Sequence, residues 1–303
     1  MRSGAGKEQT MGKPKFFQRN PVYEKELWTV NRSPLFALAV IGYHAVMCIL
    51  ALVVFSSMQG TIQSRGQESY SMMLQMYILL GMIECMLVVV ITPGLAGGGI
   101  ARERECHALE VMQVSGLGAG RIVAGKLKAC MNTLFILILS GFPALSMVFV
   151  YGGIQVEDCI QAAVVLVIMA CYLCSLSLLC SAAARKSGHA IVIAYGVTLT
   201  LLAATLLIHY MPLLLLGQSY GEHPGSPIAW YHYLLLFNPL VTFFSVMNRQ
   251  AGSRDFIFDL INYQGNYRPN WATEHWIGIS LAVQIAAAVL FLAAAARIVA
   301  KRK

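Results

Sequence analysis

Residues 72–112 read MMLQMYILLGMIECMLVVVITPGLAGGGIARERECHALEVM. The first part of this stretch, residues 72–96, contains one charged side chain, Glu84, in a run that is otherwise mostly apolar. The hydrocarbon core of a bilayer is about 30 Å thick, and a helix needs about 20 mostly apolar residues to cross it. The stretch therefore predicts a membrane span, which is followed by the glycines of residues 97–99 and then by a strongly charged segment.

The rest of the chain repeats this apolar pattern. Of the 303 residues, 57% are hydrophobic and only 12% are charged, whereas a soluble domain carries about 25% charged residues. This composition argues against a disordered chain, a disulfide scaffold and most cytosolic enzymes. We predict an all-α polytopic membrane protein with six transmembrane helices, at about 34–58, 72–96, 122–151, 159–184, 188–216 and 273–297.

The basic residues indicate the orientation of these spans. Lysine and arginine accumulate on the cytoplasmic side of membrane proteins. Eighteen of the 22 lysines and arginines lie in residues 1–33, after the second span and into the third, after the fourth span, or at the end of the chain. We therefore predict that both termini are cytoplasmic. The net charge of +8 is then an orientation signal, and we expect no nucleic-acid partner.

The chain before the first span divides into two parts. Residues 1–19 are predicted to form a flexible basic tail. Asn20-Pro21 then begins a segment typical of a helix start, because proline is favoured in the first helical turn. Residues 20–33 alternate apolar with charged side chains, including Lys25, Glu26 and Trp28. This pattern predicts an amphipathic helix in the membrane interface.

The connection between the second and third spans holds a second short helix. This helix is predicted at about residues 100–113, where Ile100, Glu103, His107 and Glu110 fall at helical spacing. The segment is too polar to enter the bilayer and too regularly patterned for a bare loop. We predict one amphipathic cytoplasmic helix, and its dense alternating charge favours docking to a soluble partner. A solvated helix without a partner is the alternative.

The segment between the fifth and sixth spans, residues 217–271, lies on the predicted outer face. Its run Ile228–Met247 has the length of a span but contains Asn238-Pro239 in its middle, and proline interrupts helices. A seventh span would also place the C-terminal basic cluster outside. We therefore predict interfacial or re-entrant helices, with Trp230, Trp271 and Trp276 at the level of the lipid headgroups.

Three stretches of the chain resemble a known family. The opening Asn20-Pro21…Lys25-Glu26-Leu27 is similar to the start of type-2 permease subunits of ATP-binding cassette exporters. That family is also resembled by the run Pro93…Ile100-Ala101-Arg102-Glu103-Arg104-Glu105…Leu109-Glu110-Val111-Met112…Ile122-Val123-Ala124-Gly125-Lys126-Leu127 and by Phe237-Asn238-Pro239-Leu240. Cys106-His107 and Ser115-Gly116 depart from what many members have, which leaves the substrate subfamily undefined.

The resemblance implies partners and a place in the cell. A second permease chain, identical or different, would complete the pore in the plasma membrane, and two ATPase subunits would bind beneath it. The coupling contacts are expected at Arg102, Glu103, Arg104, Glu105 and Glu110. The interfacial helix, with Lys25, Glu26 and Trp28, is expected to transmit the same motion.

No catalytic or nucleotide site is predicted on this chain. Residues 120–127, GRIVAGKL, nearly match a phosphate-binding loop, but Leu127 stands where a serine or threonine should bind magnesium, and no strand precedes the segment. We expect no cofactor and no metal on this chain, with ATP and magnesium on the partner ATPase. The eight cysteines are expected to be free thiols.

Glu84 is the polar candidate inside the spans. A charged side chain at that depth costs at least about 2.5 kcal/mol. Glu84 is thus either a functional site or a neutral acid that is hydrogen-bonded to Tyr77, His44 or Asn132. Two other functions stay open at this point: a non-transporting membrane anchor or sensor, and an intramembrane enzyme. Nothing in the spans selects a substrate.

Overall fold

The computed structural model describes residues 22–26, 34–62, 69–150, 155–216, 230–252 and 270–301, and all of their regular structure is helical. Residues 22–26 form a short helical segment. The predicted tail, residues 1–19, and Trp28 lie outside the described residues. The remaining helices are α1 Pro34–Ile62, α2 Ser69–Ala96, α3 Gly99–Glu105, α4 Ala108–Val114, α5 Ala119–Val150, α6 Val156–Ala183, α7 Ser187–Leu216, a 3₁₀ helix Trp230–Phe237, α8 Pro239–Gln250, α9 Trp271–Glu274 and α10 Trp276–Lys301.

Five stretches of the described residues are helical, long and apolar enough to cross a membrane: Leu74–Glu105, Ala119–Pro143, Val156–Ala183, Ser187–Met211 and Trp276–Lys301. The first of these runs from α2 into α3. Helix α1 covers the first predicted span and contains the apolar stretch Val40–Leu50. Helices suit a bilayer because they satisfy every backbone polar group within one segment. The all-helical prediction is confirmed.

Helix α6 lies at the centre of the bundle. It packs against α2, α5, α7 and α10 and is the most enclosed of these spans. Small and slender side chains, including Ala170, Cys174 and Ser177, let the neighbouring helices approach it closely. Helices α7 and α10 turn most of their surface away from the bundle, so these two faces are available to lipid or to another chain.

One face of the bundle, which we call the basic end, collects the ends of α2, α6 and α10 and the starts of α5 and α7. Contacts at α3 and α4 hold these ends together. The backbone N–H groups of Ile100 and Ala101 donate to Ser181 Oγ at 3.0 and 3.1 Å. Gln113 Nε2 donates to the carbonyl of Val299 in α10 at 3.1 Å. The opposite face, where α6 and α10 begin, is the far end.

The charged connection at the basic end forms two helices instead of the one predicted over about 100–113. The chain turns at Cys106 and His107, between α3 and α4. His107 has a φ of 55°, which lies in the left-handed region and ends the helix. The predicted helical period therefore fails at this residue, and α3 and α4 face their surroundings independently.

The segment between α7 and α10 enters the bundle from the far end and returns to it. The backbone carbonyl of Phe237 accepts a hydrogen bond from the Tyr172 hydroxyl at 3.3 Å. Because a helix rises 1.5 Å per residue, Tyr172 lies about 24 Å from the start of α6. At the other end of α8, Gln250 Nε2 donates to the carbonyl of Asp158, back at the far end. We call the segment from Trp230 to Gln250 the hairpin.

Neutral side chains satisfy the broken backbone at the tip of the hairpin. Asn238 Oδ1 accepts from the backbone N–H groups of Leu240 and Val241, and Asn238 Nδ2 donates to Thr205 Oγ1 at 2.8 Å. Ser280 and Gln284 of α10 donate to the carbonyl of Leu236. Irregular backbone at membrane depth is tolerated only where protein groups satisfy it, which these contacts achieve.

The aromatic residues around the hairpin divide into two groups. Trp230 and Trp271 are largely exposed, as expected for side chains at headgroup level. Trp276, the third tryptophan predicted at that level, is instead covered by protein: it is 2% exposed and packs with Leu235 and Val241. It begins α10 beside the hairpin, and the hairpin covers its indole ring.

Candidate functional site

Four charged side chains meet at the basic end, and we call them the ion-pair cluster: Lys25, Glu26, Glu103 and Lys126. Lys126 Nζ lies 3.0 Å from Glu103 Oε2 and 2.6 Å from Glu26 Oε1. Lys25 Nζ lies 3.3 Å from Glu103 Oε1. The cluster therefore joins the N-terminal segment 22–26, α3 and α5.

The centre of the ion-pair cluster is buried. Lys126 is 2% exposed and Glu103 is 7% exposed, whereas more than half of the Lys25 side chain is exposed. Taking one member away from a buried pair costs about 3–5 kcal/mol, because the remaining charge stays buried without compensation. Lys126 and Glu103 thus hold α3 on α5 in one arrangement, and a movement of α3 must carry this pair with it.

Arg104 attaches α3 to the end of α6. Its guanidinium group donates to the carbonyl of Ala182 at 3.0 Å and to the carbonyl of Ala184. The last carbonyls of a helix have no partner within the helix, and that end carries partial negative charge. Arg104 therefore caps α6, while Ser181 of α6 accepts from the first N–H groups of α3.

The remaining predicted coupling residues lie at the surface. Arg102 and Glu105 are exposed on α3, and Glu105 accepts a hydrogen bond from the Ser187 hydroxyl at the start of α7. Glu110 is exposed on α4, with His107 Nδ1 3.4 Å from its Oε1.

Helix α4 presents apolar side chains next to these charges. Leu109 is buried against the basic end, and Gln113 is bonded to α10. The opposite side of α4 exposes Glu110 together with Val111, at 69%, and Val114, at 89%. We call Glu110, Val111 and Val114 the α4 face. An exposed apolar pair on a short, firmly anchored helix is a feature of interaction surfaces.

The sequence grouped the charged residues of α3 as one surface, and the structure divides them. Glu103 and Arg104 turn into the chain and bind other helices, while Arg102 and Glu105 turn outwards. Sequence reasoning missed Lys126 and Ser181. Lys126 drew attention within the phosphate-loop pattern of residues 120–127 and within the family-like run 122–127, but not as an ion-pair partner, and this segment is a regular part of α5.

Glu84 lies inside the bundle with a hydroxyl as its neighbour. Its side chain is 0% exposed, and no described residue other than Tyr43 offers either carboxyl oxygen a hydrogen bond. Two of the three predicted partners are engaged elsewhere: Tyr77 donates to Gln250 Oε1 at 2.9 Å, and His44 Nδ1 lies 2.7 Å from its own helix at the Val40 carbonyl. The third, Asn132 of α5, forms no hydrogen bond to Glu84. The neighbour is Tyr43, which the sequence did not single out.

Among the described residues, the far end holds no buried ion pair comparable to the ion-pair cluster. His232 at the start of the hairpin lies beside His209 of α7, with ring centroids 5.1 Å apart. Burial, and secondarily the neighbouring His209, lowers the pKa of His232 to about 4. His232 is therefore neutral at physiological pH, so the hairpin buries neutral polar groups.

The described residues contain no group of three or more His, Cys, Asp or Glu side chains that could hold a metal ion. All eight cysteines are free thiols.

The chain matches the family model of the ABC-2 family transporter protein over residues 51–297. No curated protein matches it. The matched region contains most of the bundle, including α3, α4, Lys126 and the hairpin, whereas Lys25 and Glu26 precede it.

Proposed function

Since the chain belongs to the ABC-2 family of transporter proteins, we propose that it is the membrane-spanning permease subunit of an ATP-driven exporter. In this proposal α1, α2, α5, α6, α7 and α10 are its six spans. The basic end faces the cytoplasm with both termini, because lysine and arginine favour that side. The chain resides in the plasma membrane, and ATP is hydrolysed on a separate subunit.

The observation that carries the proposal is the α4 face. It exposes two valines beside Glu110 on α4, which Leu109 and Gln113 hold against the basic end. Helix α4 directly follows α3, which is anchored to α6 through Arg104 and Ser181 and to α5 through Lys126. A rigid element with an apolar centre and a charged rim fits a soluble protein partner. Force applied to α4 would reach α10 through Gln113, and α5 and α6 through α3.

The proposed exporter contains a second permease chain. Helices α7 and α10 turn most of their surface away from the bundle, and a cavity of about 640 Å³ opens between α6, α7, the hairpin and α10. Its lining is apolar apart from Thr200, Thr205 and Tyr172. The translocation path would lie where two such chains meet, with the ATPase subunits below the two α4 faces.

The test is co-purification of the tagged full chain from its native membranes. We expect an ABC-type ATPase subunit to accompany it and to hydrolyse ATP. A Val111→Asp, Val114→Asp variant should reduce the recovered ATPase about tenfold or more, because burying two valines contributes several kcal/mol to an interface. The matched control is Val156→Asp, which places the same charge on an exposed valine at the far end.

Each outcome is decisive. Equal recovery of the ATPase with the double variant and the wild type would remove the α4 face from the coupling interface. Absence of any ATPase from the wild-type preparation would favour a non-transporting membrane anchor. Thermal unfolding of the purified double variant and of Val156→Asp, measured in parallel, tests whether the bundle is intact in each of them.

A further inference from the structure

Glu84 lies where three helices meet. It belongs to the middle of α2, Tyr43 belongs to α1, and Gly141 of α5 closes the space between them. A Cβ atom placed on Gly141 would stand 2.6 Å from Glu84 Oε1 and 2.7 Å from the Tyr43 hydroxyl oxygen. The two oxygens therefore lie side by side over the same glycine, where each is the hydrogen-bonding neighbour of the other and no other described residue bonds to either.

No cation of the described helices balances Glu84. The lysines and arginines of α5 are Arg121, Lys126 and Lys128, at its basic end, and α8 carries Arg249 near the far end. Helix α1 has no lysine or arginine, and its His44 is turned to the Val40 carbonyl. The other titratable groups close to Glu84 are Tyr43, Tyr77 and Cys85, which are neutral hydroxyl and thiol groups.

We propose that Glu84 is an intramembrane proton-binding site, with the carboxyl neutral and the Tyr43 hydroxyl as its hydrogen-bonding neighbour. A bare carboxylate at this depth would be unpaired in an apolar medium, which is among the most costly arrangements in a protein. A proton removes that cost. A calcium or magnesium ion does not fit, because each takes six or more oxygen ligands, and one carboxyl with one hydroxyl offers three.

Packing at Gly141 makes the bound proton part of the closed bundle. The backbone of α5 covers the carboxyl and the hydroxyl, so water cannot reach them while α1, α2 and α5 stay together. Loss of the proton then requires α1 or α5 to separate from α2. Glu84 is therefore a site whose protonation is linked to the separation of these helices, and this property does not depend on the ATPase partner.

The test is infrared difference spectroscopy on the full chain in lipid nanodiscs at pH 7. Glu84→Gln should remove a carbonyl-stretch band of a neutral carboxylic acid from the wild-type spectrum. Glu157→Gln is the matched control, because Glu157 is exposed at the start of α6, and it should remove the bands of an ionised carboxylate instead. Loss of ionised-carboxylate bands in Glu84→Gln would overturn the proposal.

A second variant keeps the acid and changes only its neighbour. Tyr43→Phe retains the ring but deletes the hydroxyl, so the neutral-acid band should remain and move to higher frequency, since a carbonyl without a hydrogen bond vibrates faster. This measurement holds even where Glu84→Gln does not fold. A wild-type spectrum without the band, or a band that Tyr43→Phe leaves unmoved, would contradict the assignment.

Discussion

Glu84 and Glu103 are both buried glutamates on the stretch that runs from α2 into α3, yet the structure treats them in opposite ways. Glu103 lies between two lysines, at 3.0 and 3.3 Å. Glu84 has a tyrosine hydroxyl beside it and no cation from the described helices. The same side chain is therefore an ion-pair partner at the basic end and, by our proposal, a neutral acid in the middle of the bundle.

Depth accounts for the difference. Lys126 lies two turns into α5, and its long apolar stem lets the ammonium group reach Glu103 and Glu26 near the polar boundary. At the depth of Glu84, the ammonium group of a lysine could not reach the polar boundary, and the attraction of such a pair seldom exceeds the loss of hydration for two ions. Buried charge thus connects elements at the edge of the bundle, whereas its interior holds neutral polar groups.

The largest effect is expected from Lys126→Met, which breaks the ion-pair cluster at its centre. Glu103 and Glu26 would lose their common buried partner, and we expect a loss of about 3–5 kcal/mol in the free energy of unfolding. Unfolding of the detergent-solubilised chain by SDS measures it. Adding Glu103→Gln to Lys126→Met should restore part of the loss. A double variant that is less stable than Lys126→Met would show that Glu103 has its stabilising contacts elsewhere.

The same substitution at the two glutamates tests the comparison directly. Glu103→Gln removes a charge from the buried pair and should cost about 2–3 kcal/mol, as expected for a hydrogen bond between charged groups. Glu84→Gln removes no charge if the acid is neutral, and should cost about 1 kcal/mol or less. Unfolding by SDS at pH 7 compares them. Equal losses would mean that both carboxyls are ionised.

The spans and the two glutamates could be predicted from the sequence, but their partners could not. Apolar runs and charge asymmetry are properties of single segments, so they indicate α2, α5, α6, α7 and α10 without knowledge of packing. Helical spacing likewise places Glu103 and Glu110 on one face. The helix nevertheless ends at His107, whose left-handed φ cannot be predicted from the sequence pattern.

Partners depend on how the helices pack, which is information that spacing along one helix does not contain. Tyr43 stands next to His44, one of the three partners that the sequence offered for Glu84, and the two point about 100° apart around α1. Lys126 is one of three basic residues near the start of α5. Only the packing of α3 on α5 and α6 singles it out from Arg121 and Lys128.

Gly141→Ala should affect the Glu84 site more than its size suggests. The added methyl group would overlap the Glu84 carboxyl and the Tyr43 hydroxyl, and overpacking of this kind costs about 1–2 kcal/mol. Gly196→Ala is the matched control on α7, because nothing lies within 4 Å of its Cβ position, and it should leave the unfolding midpoint unchanged or slightly raised. Equal midpoints for the two variants would show that α5 does not close over Glu84.

The smallest effect is expected from Lys25→Met, which removes the other lysine that contacts Glu103. Lys25 and Lys126 lie at similar distances from the same carboxylate, but more than half of the Lys25 side chain is exposed. Water and salt screen an exposed pair, so the change should cost at most about 1 kcal/mol and should vanish at high salt. Unfolding midpoints of Lys25→Met and Lys126→Met at low and high salt measure the contrast. A loss of stability for Lys25→Met as large as that for Lys126→Met, with as little dependence on salt, would contradict this expectation. Burial would then not set the strength of the ion-pair cluster, and the explanation by depth would fail at both Glu84 and Glu103.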